Sequence, residues 1–181
     1  MKKIISIGMN CEVSFQIQKY VDKFYSSLFS WAFVMDDKRF LRALHNLDDV
    51  FSKEIEFHMP TNDMFLDKKY GIAFHGRTPK EKLFFPDGKV KDSKLYDETV
   101  EELKTRIAYL KNRFKQDLDS DEEKIYFKKI LVEPDLEIWG GKEKLISIIK
   151  EFETYFLKNI ARGGGRTKKF IVLQKKYFLD G

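Results

Sequence analysis

A cysteine is the side chain in this sequence best suited to covalent chemistry. Cys11 is the only cysteine, and it closely follows the apolar run Ile4–Ile7 and Gly8. A strand, a tight glycine turn and a helix would place its thiol at the rim of a sheet, where the free N–H groups of the helix favour a thiolate. Those N–H groups, together with the turn at Gly8 and the Asn10 amide, could hold the oxyanion of an acyl-transfer intermediate. The alternative is that Cys11 is a small buried hydrophobic residue.

Three histidines are candidates for a base that would act on this thiol. His75 ends the apolar segment YGIAFHG, so it is best placed to face Cys11. Its alternative is a strand-end histidine bonded to a backbone carbonyl. His45 lies on an amphipathic segment and is expected at the surface, whereas the role of His58 stays open. A single cysteine and isolated histidines give no metal-ligand spacing, so no metal and no cofactor are expected.

Composition limits the classes of protein that the chain can represent. It has 181 residues, of which 43% are hydrophobic and 35% charged, and this indicates a single α/β domain over residues 1–181. The net charge of +5 comes from interleaved acidic and basic residues, which argues against a nucleic-acid partner. The short apolar stretch near the N-terminus predicts neither a signal peptide nor a membrane span, and we expect a cytoplasmic protein. The oligomeric state is not specified by these features.

Strand-like segments alternate with amphipathic helices along the chain. Helices are predicted over residues 11–20, 36–47, 96–117 and 142–158, and strands in KKIISIG, KKYGIAFHG, KIYFKKILVE and KFIVLQ. Residues 50–68 are predicted to be irregular because they contain Pro60 and Asn62. The alternation predicts a three-layer α/β fold, with an open, mainly parallel sheet and helices on both faces.

Carboxylate side chains lie at one of the predicted strand ends. In open parallel sheets, functional groups gather at the carboxyl ends of the strands. That rule selects the segment from Gly8 to Cys11, then His75, and then Glu133 and Asp135. Asp135 is our candidate for the carboxylate that orients the histidine, with Glu133 as the other choice. Strand ends also collect polar residues in any such fold, so the rule alone does not decide the chemistry.

The opening of the chain resembles a known bacterial family. SIGMNC, which ends at Cys11, matches the Ser-Leu-Gly-x-x-Cys motif of a domain of unknown function described as papain-like cysteine peptidases. Phe29-Ser30-Trp31 partly matches its Pro-Phe-Asp-Trp motif, and YGIAFHG resembles the segment that carries its histidine, here His75. The resemblance implies a Cys–His enzyme that acts on an amide or an ester.

This resemblance runs over roughly residues 4–132, and two positions depart from it. Ser30 replaces the aspartate of the second motif, and Lys128 stands where an arginine is usual. The resemblance places Ser30 and Trp31 on the substrate side of the site. If the family aspartate supports catalysis, its replacement implies lower activity or another specificity.

Two classes of function follow from these patterns. The first is a cysteine-dependent hydrolase or acyltransferase, peptidase-like or esterase-like, that acts on a small-molecule, glycan or peptide substrate. The second is a non-catalytic or degenerate binding module for an anionic or sugar-phosphate ligand. A helix N-terminus after Gly8 and the segment Arg162–Arg166, followed by Lys168 and Lys169, favour that second class. A plain solvated connector explains the same segment.

Overall fold

The structure is a computed structural model, and it describes residues 3–8, 11–22, 24–52, 55–58, 64–131, 142–161 and 169–175. The helices in these ranges are α1 (Cys11–Tyr20), α2 (Asp37–His45), α3 (Lys80–Leu83), α4 (Ser93–Asp119) and α5 (Lys142–Ala161), with a 3-10 turn at Leu47–Asp49. The strands are β1 (Lys3–Ser6), β2 (Ala32–Val34), β3 (Ile55–His58), β4 (Met64–Asp67), β5 (Ile72–His75), β6 (Lys124–Leu131) and β7 (Lys169–Lys175).

Three strands form a parallel sheet in the order β1-β6-β7. Strand β1 pairs with β6 from Lys3 opposite Lys124 to Ser6 opposite Phe127. The pairing continues past the end of β1, because the Ile7 N–H donates to the Phe127 carbonyl at 2.8 Å. The sheet therefore fixes the direction in which the chain leaves β1 toward α1.

The other four strands form an antiparallel sheet in the order β2-β5-β4-β3. Strands β3 and β4 lie within residues 50–68, so the prediction that this region is irregular is wrong. Both are four residues long, and all four side chains of β4 are buried. Pro60 and Asn62 are typical of irregular segments, and a four-residue strand carries little periodic signal.

The predicted fold class is confirmed only at its coarser level. The chain combines helices with a parallel sheet and an antiparallel sheet, and is α/β in that general sense. A three-layer arrangement around one open, mainly parallel sheet is not confirmed. Parallel pairing is confined to β1, β6 and β7, and β5 belongs to the antiparallel sheet.

The two best-defined helices begin at aspartate caps. The Asp36 carboxylate accepts a hydrogen bond from the Arg39 N–H at 2.8 Å at the start of α2. Asp92 accepts one from the Leu95 N–H at 3.0 Å at the start of α4. Such caps satisfy N–H groups that have no partner within the helix. Helix α4 therefore begins earlier than predicted and runs to Asp119.

Phenylalanine rings join elements of both sheets and several helices in one core. The Phe29 ring lies 4.8 Å from that of Phe40 on α2 and 5.3 Å from that of Phe114 on α4, in edge-to-face contacts. Tyr126 on β6 stacks on Phe156 of α5 at 4.6 Å. Edge-to-face and offset contacts are the favoured arrangements of aromatic pairs. The numerous phenylalanines of the sequence thus serve largely to fill this core.

One buried ion pair crosses the core between β6 and α2. Lys128 Nζ lies 2.6 Å from Asp37 Oδ1, and the two side chains are 0% and 4% exposed. The ammonium group also lies 4.9 Å from the centre of the Phe40 ring. Burial lowers the pKa of Lys128, and Asp37 acts in the opposite direction. The lysine at the position where the resemblance expects arginine is therefore an internal charge with a carboxylate partner.

Among the described residues, no helix combines the length and the apolar character that a membrane crossing needs.

Candidate functional site

A glycine turn carries the chain from β1 toward the first helix. Gly8 has φ of +63°, a conformation that favours glycine, and its N–H donates to the Phe29 carbonyl at 3.1 Å. A Cβ atom at this position would lie only 2.8 Å from Cγ2 of Val34. Gly8 is thus required by both backbone conformation and close packing. Asn10, the predicted oxyanion donor, lies outside the described residues.

Helix α1 holds Cys11 at its first residue through a buried face. Val13, Ser14 and Ile17 are buried, while Cys11 is partly exposed. The Ser14 hydroxyl donates to the Ser30 carbonyl, which ties the first turn of the helix to the segment before β2. Sheet pairing on one side of the turn and this contact on the other leave the Cys11 thiol little freedom of position.

His75 reaches the same place from the antiparallel sheet. It is the last residue of β5 and is paired with Met64 of β4. Its carbonyl accepts a hydrogen bond from the Arg106 guanidinium on α4, so the strand end is held from a neighbouring helix. The strand-end rule selected His75 as part of a parallel sheet. His75 does lie near Cys11, but the antiparallel sheet and α4 bring it there.

The side chains of Cys11 and His75 are in contact. Cys11 Sγ lies 3.8 Å from His75 Nε2, although 64 residues separate them in sequence. Both residues are partly exposed, so a small molecule has access to the pair. A thiol within hydrogen-bond reach of an imidazole nitrogen is the geometry needed for proton transfer before nucleophilic attack.

The environment of the thiol differs from the one expected at a helix N-terminus. Burial raises the pKa of the Cys11 thiol, and hydrogen bonding to its own backbone N–H only partly opposes this. A raised pKa leaves less thiolate at neutral pH, because desolvation disfavours the charged form. A neighbouring group that accepts the thiol proton would therefore favour the thiolate. His75 Nε2 is the described basic group in contact with it.

Ser30 and Trp31 occupy the predicted second motif, with different surroundings. Ser30 is fully buried, and its hydroxyl accepts from the Ser27 N–H at 2.8 Å within a tight turn. No described contact joins Ser30 to either member of the Cys–His pair, so here it stabilises the turn. Trp31 is partly exposed, and its ring packs edge-to-face on Phe15 at 5.2 Å. Phe15 is 59% exposed.

Phe15 was not singled out from the sequence, and its spacing could have identified it. It follows Cys11 by four residues on α1, so the two side chains lie on one face of the helix, a turn apart. An exposed phenyl ring beside the thiol, backed by Trp31, offers an apolar surface next to the reacting atom. The contact of Arg106 with the His75 carbonyl has no signal in the sequence.

The residue that would orient the histidine is not among the described contacts. Asp135 and Glu133, which were predicted for this role, lie outside the described residues, as does the segment Arg162–Arg166. Within the described ranges no carboxylate contacts the His75 ring, and no three metal-ligating side chains converge. His45 is exposed on α2, where its ring lies 4.9 Å from that of Tyr155.

The contacts described above therefore define a Cys–His pair at the junction of the two sheets. The resemblance to papain-like cysteine peptidases stays a prediction. Comparisons of the chain with protein-family models, with curated proteins and with solved structures find no match.

Proposed function

We propose that the protein is a cysteine-dependent hydrolase or acyltransferase, in which Cys11 is the nucleophile and His75 is the base. The observation that supports the proposal is the 3.8 Å contact between Cys11 Sγ and His75 Nε2. Two side chains so distant in sequence meet where both remain partly exposed. A structural cysteine has no need of an imidazole partner or of access to solvent.

The reaction follows from the chemistry of the pair. His75 accepts the thiol proton, and the Cys11 sulfur forms a bond to the carbonyl carbon of an ester, thioester or amide. The leaving group departs with the bonding electrons and takes a proton from the imidazolium. This gives a thioester on Cys11. Water or an acceptor hydroxyl or amine then attacks the thioester, gives its proton to His75, and displaces the Cys11 sulfur.

The surroundings of the thiol support an acyl-transfer reaction. The backbone N–H of Cys11 at the start of α1 is a candidate donor to the oxyanion that forms on attack. Phe15 and Trp31 supply an apolar surface one helical turn away. The proposed class includes the peptidase-like and esterase-like activities that the sequence resemblance implies. We further propose that the protein works in the cytoplasm, where its single thiol remains reduced.

Substitution of each member of the pair tests the proposal. A panel of p-nitrophenyl esters, acyl thioesters and peptide anilides serves as substrate. Turnover should fall by at least about a thousandfold in Cys11→Ala and by about a hundredfold or more in His75→Ala. His45→Ala removes an exposed histidine that lies elsewhere and should leave turnover unchanged.

A covalent intermediate gives the second measurement. Mass spectrometry after rapid quenching should detect an acyl group on Cys11 in the wild type and none in Cys11→Ala. Wild-type turnover in Cys11→Ala would rule out the nucleophile. Equal turnover in His75→Ala and His45→Ala would rule out the base.

A further inference from the structure

Two arginines lie beside the backbone of His75. The Arg106 guanidinium on α4 donates to the His75 carbonyl, and Arg77 follows His75 by two residues. The His75 ring contacts Cys11 while its carbonyl contacts Arg106, so one residue separates the thiol from the guanidinium. With Thr99, Glu102 and Leu103, the two arginines pack around a void too small for a water molecule, so a ligand would approach them from the exposed side of Arg77.

Among these described side chains, the positive charges outnumber the negative ones. Arg77 Nη1 pairs with Glu102 Oε1 at 2.9 Å. In the described part of the chain, no carboxylate lies within ion-pair distance of Arg106, which is only partly exposed. Burial lowers the pKa of Arg106, the neighbouring Arg77 lowers it further, and Glu102 acts in the opposite direction. The nearby carboxylate, Glu102, is thus paired with Arg77 and acts on Arg106 only from a longer distance.

An uncompensated cation that is partly removed from water is costly, and a bound anion would offset that cost. Guanidinium groups bind planar carboxylates and phosphates through paired N–H donors, and in the described part of the chain one Arg106 donor is used by the His75 carbonyl. Arg77 is largely exposed, so it can turn from Glu102 toward a ligand. Its own ion pair is weak because it is solvated.

We propose that Arg77 and Arg106 form an anion-binding subsite of the Cys11 centre, so that the substrate is an acyl compound with a carboxylate or phosphate near its reacting carbonyl. The inference rests on the proposed function, since it assigns the substrate class of that same site. The cation draws the anionic end of the substrate to α4 and leaves the carbonyl at the thiol.

The single cysteine allows a test that needs no known substrate. Iodoacetate and iodoacetamide both alkylate a thiolate: the sulfur bonds to the methylene carbon, and iodide leaves with the bonding electrons. The two reagents differ in charge, so the ratio of their rate constants reports the local potential at Cys11. The thiolate fraction affects both rates alike and cancels in the ratio. A displaced His75 would not cancel, so Arg77→Ala, which leaves the contact between Arg106 and the His75 carbonyl in place, is the decisive variant.

The iodoacetate-to-iodoacetamide ratio should exceed that of the uncharged thiol N-acetylcysteine amide by about three- to tenfold at low ionic strength. It should fall toward the free-thiol value in Arg77→Ala and in Arg106→Gln. Lys104→Ala is the matched control: it removes one positive charge from the same helix, where Lys104 pairs with Glu101. Its ratio should equal that of the wild type. Inorganic phosphate should slow the iodoacetate reaction more than the iodoacetamide reaction.

A wild-type ratio equal to that of N-acetylcysteine amide would overturn the subsite. An equal fall in Lys104→Ala would also overturn it, because the net charge of the chain would then explain the effect. An unchanged ratio in both arginine variants would overturn the subsite as well. Failure of the proposed function is distinct: it would show as wild-type turnover in Cys11→Ala, whatever the ratio.

Discussion

We expect the Cys11 thiol to react differently beside the His75 imidazole than it would alone. Burial raises the pKa of Cys11, so an isolated thiol at this position would be less reactive at neutral pH than free cysteine. Contact with His75 supplies an acceptor for the proton, and the resulting imidazolium would stabilise the thiolate. Reactivity against pH therefore distinguishes the pair from its members.

We expect the alkylation rate in His75→Ala to rise with pH through a midpoint above about 8.5, the value of an ordinary cysteine. The sign follows because a raised pKa reduces the thiolate fraction at every lower pH. At pH 7 the wild type should react about tenfold faster with iodoacetamide than His75→Ala. His45→Ala should reproduce the wild-type profile, and superposable profiles for all three proteins would contradict the contribution of His75.

Gly8 lies in the turn that leads to the thiol. The loss of stability on replacing it can be compared with the loss on replacing a second glycine, Gly71. Gly8→Ala should lower the free energy of unfolding by about 2–5 kcal/mol, from a left-handed backbone and a clash with Val34. Gly71 has nearly the same φ, +62°, but a Cβ there would make only ordinary contacts, the nearest with Arg39 Cδ at 3.5 Å and Met35 Cβ at 3.6 Å. Gly71→Ala should cost about 1–2 kcal/mol. Equal losses in urea unfolding would refute the close packing at Gly8.

The sequence predicts Cys11 from local features that the structure contains, but it predicts His75 from a rule that does not apply to its strand. Cys11 is the only thiol and follows a strand and a glycine, and these local features predict the β1–α1 turn. His75 was selected as the end of a parallel strand, yet β5 is antiparallel. Its approach to Cys11 depends on the docking of one sheet beside the other. That arrangement arises from long-range packing, which residue spacing does not encode.

At the scale of elements, α2 is joined to β6 by a buried ion pair. Asp37→Asn would leave the Lys128 charge without a counterion in the core, and we expect a loss of about 3–5 kcal/mol in the free energy of unfolding. Asp36→Asn changes the neighbouring residue in the same way but retains the helix cap, so it should cost little.

Chemical denaturation followed by circular dichroism measures both variants. The double variant Asp37→Leu with Lys128→Met should recover much of the loss, because it removes both charges. Equal stability of Asp37→Asn and Asp36→Asn would show that the pair contributes nothing.

The elements that the sequence predicts well are those with a long periodic pattern or a cap. Helix α4 spans several turns of apolar spacing, and Asp36 marks the start of α2. Strands β3 and β4 have four residues each and were missed. A four-residue strand acquires its structure from its neighbours, so its own sequence carries little information.

At the scale of the molecule, one buried cluster includes side chains from both sheets and from helices α2, α4 and α5. We therefore expect a single cooperative unfolding transition, as a domain spanning residues 1–181 requires. Phe29→Ala removes a ring that contacts two helices and should cost about 3–5 kcal/mol. Thermal melting followed by tryptophan fluorescence and by far-ultraviolet circular dichroism should give one midpoint, lowered equally for both signals. Two separated midpoints would indicate separate domains.

Because Cys11 follows a strand of one sheet and His75 ends a strand of the other, the parts of the chain that bring them together are synthesised at different times. Cys11 is made 64 residues before His75, and β6, the partner of β1, is made later still. At roughly 5–20 residues per second, the ribosome extends the chain for about 3–13 s between the two side chains. Throughout that interval the nascent thiol has no His75 beside it. Under the proposed function, the reactive centre would form only after β5 and β6 have been made, so an unfinished chain would not attack acyl compounds around it.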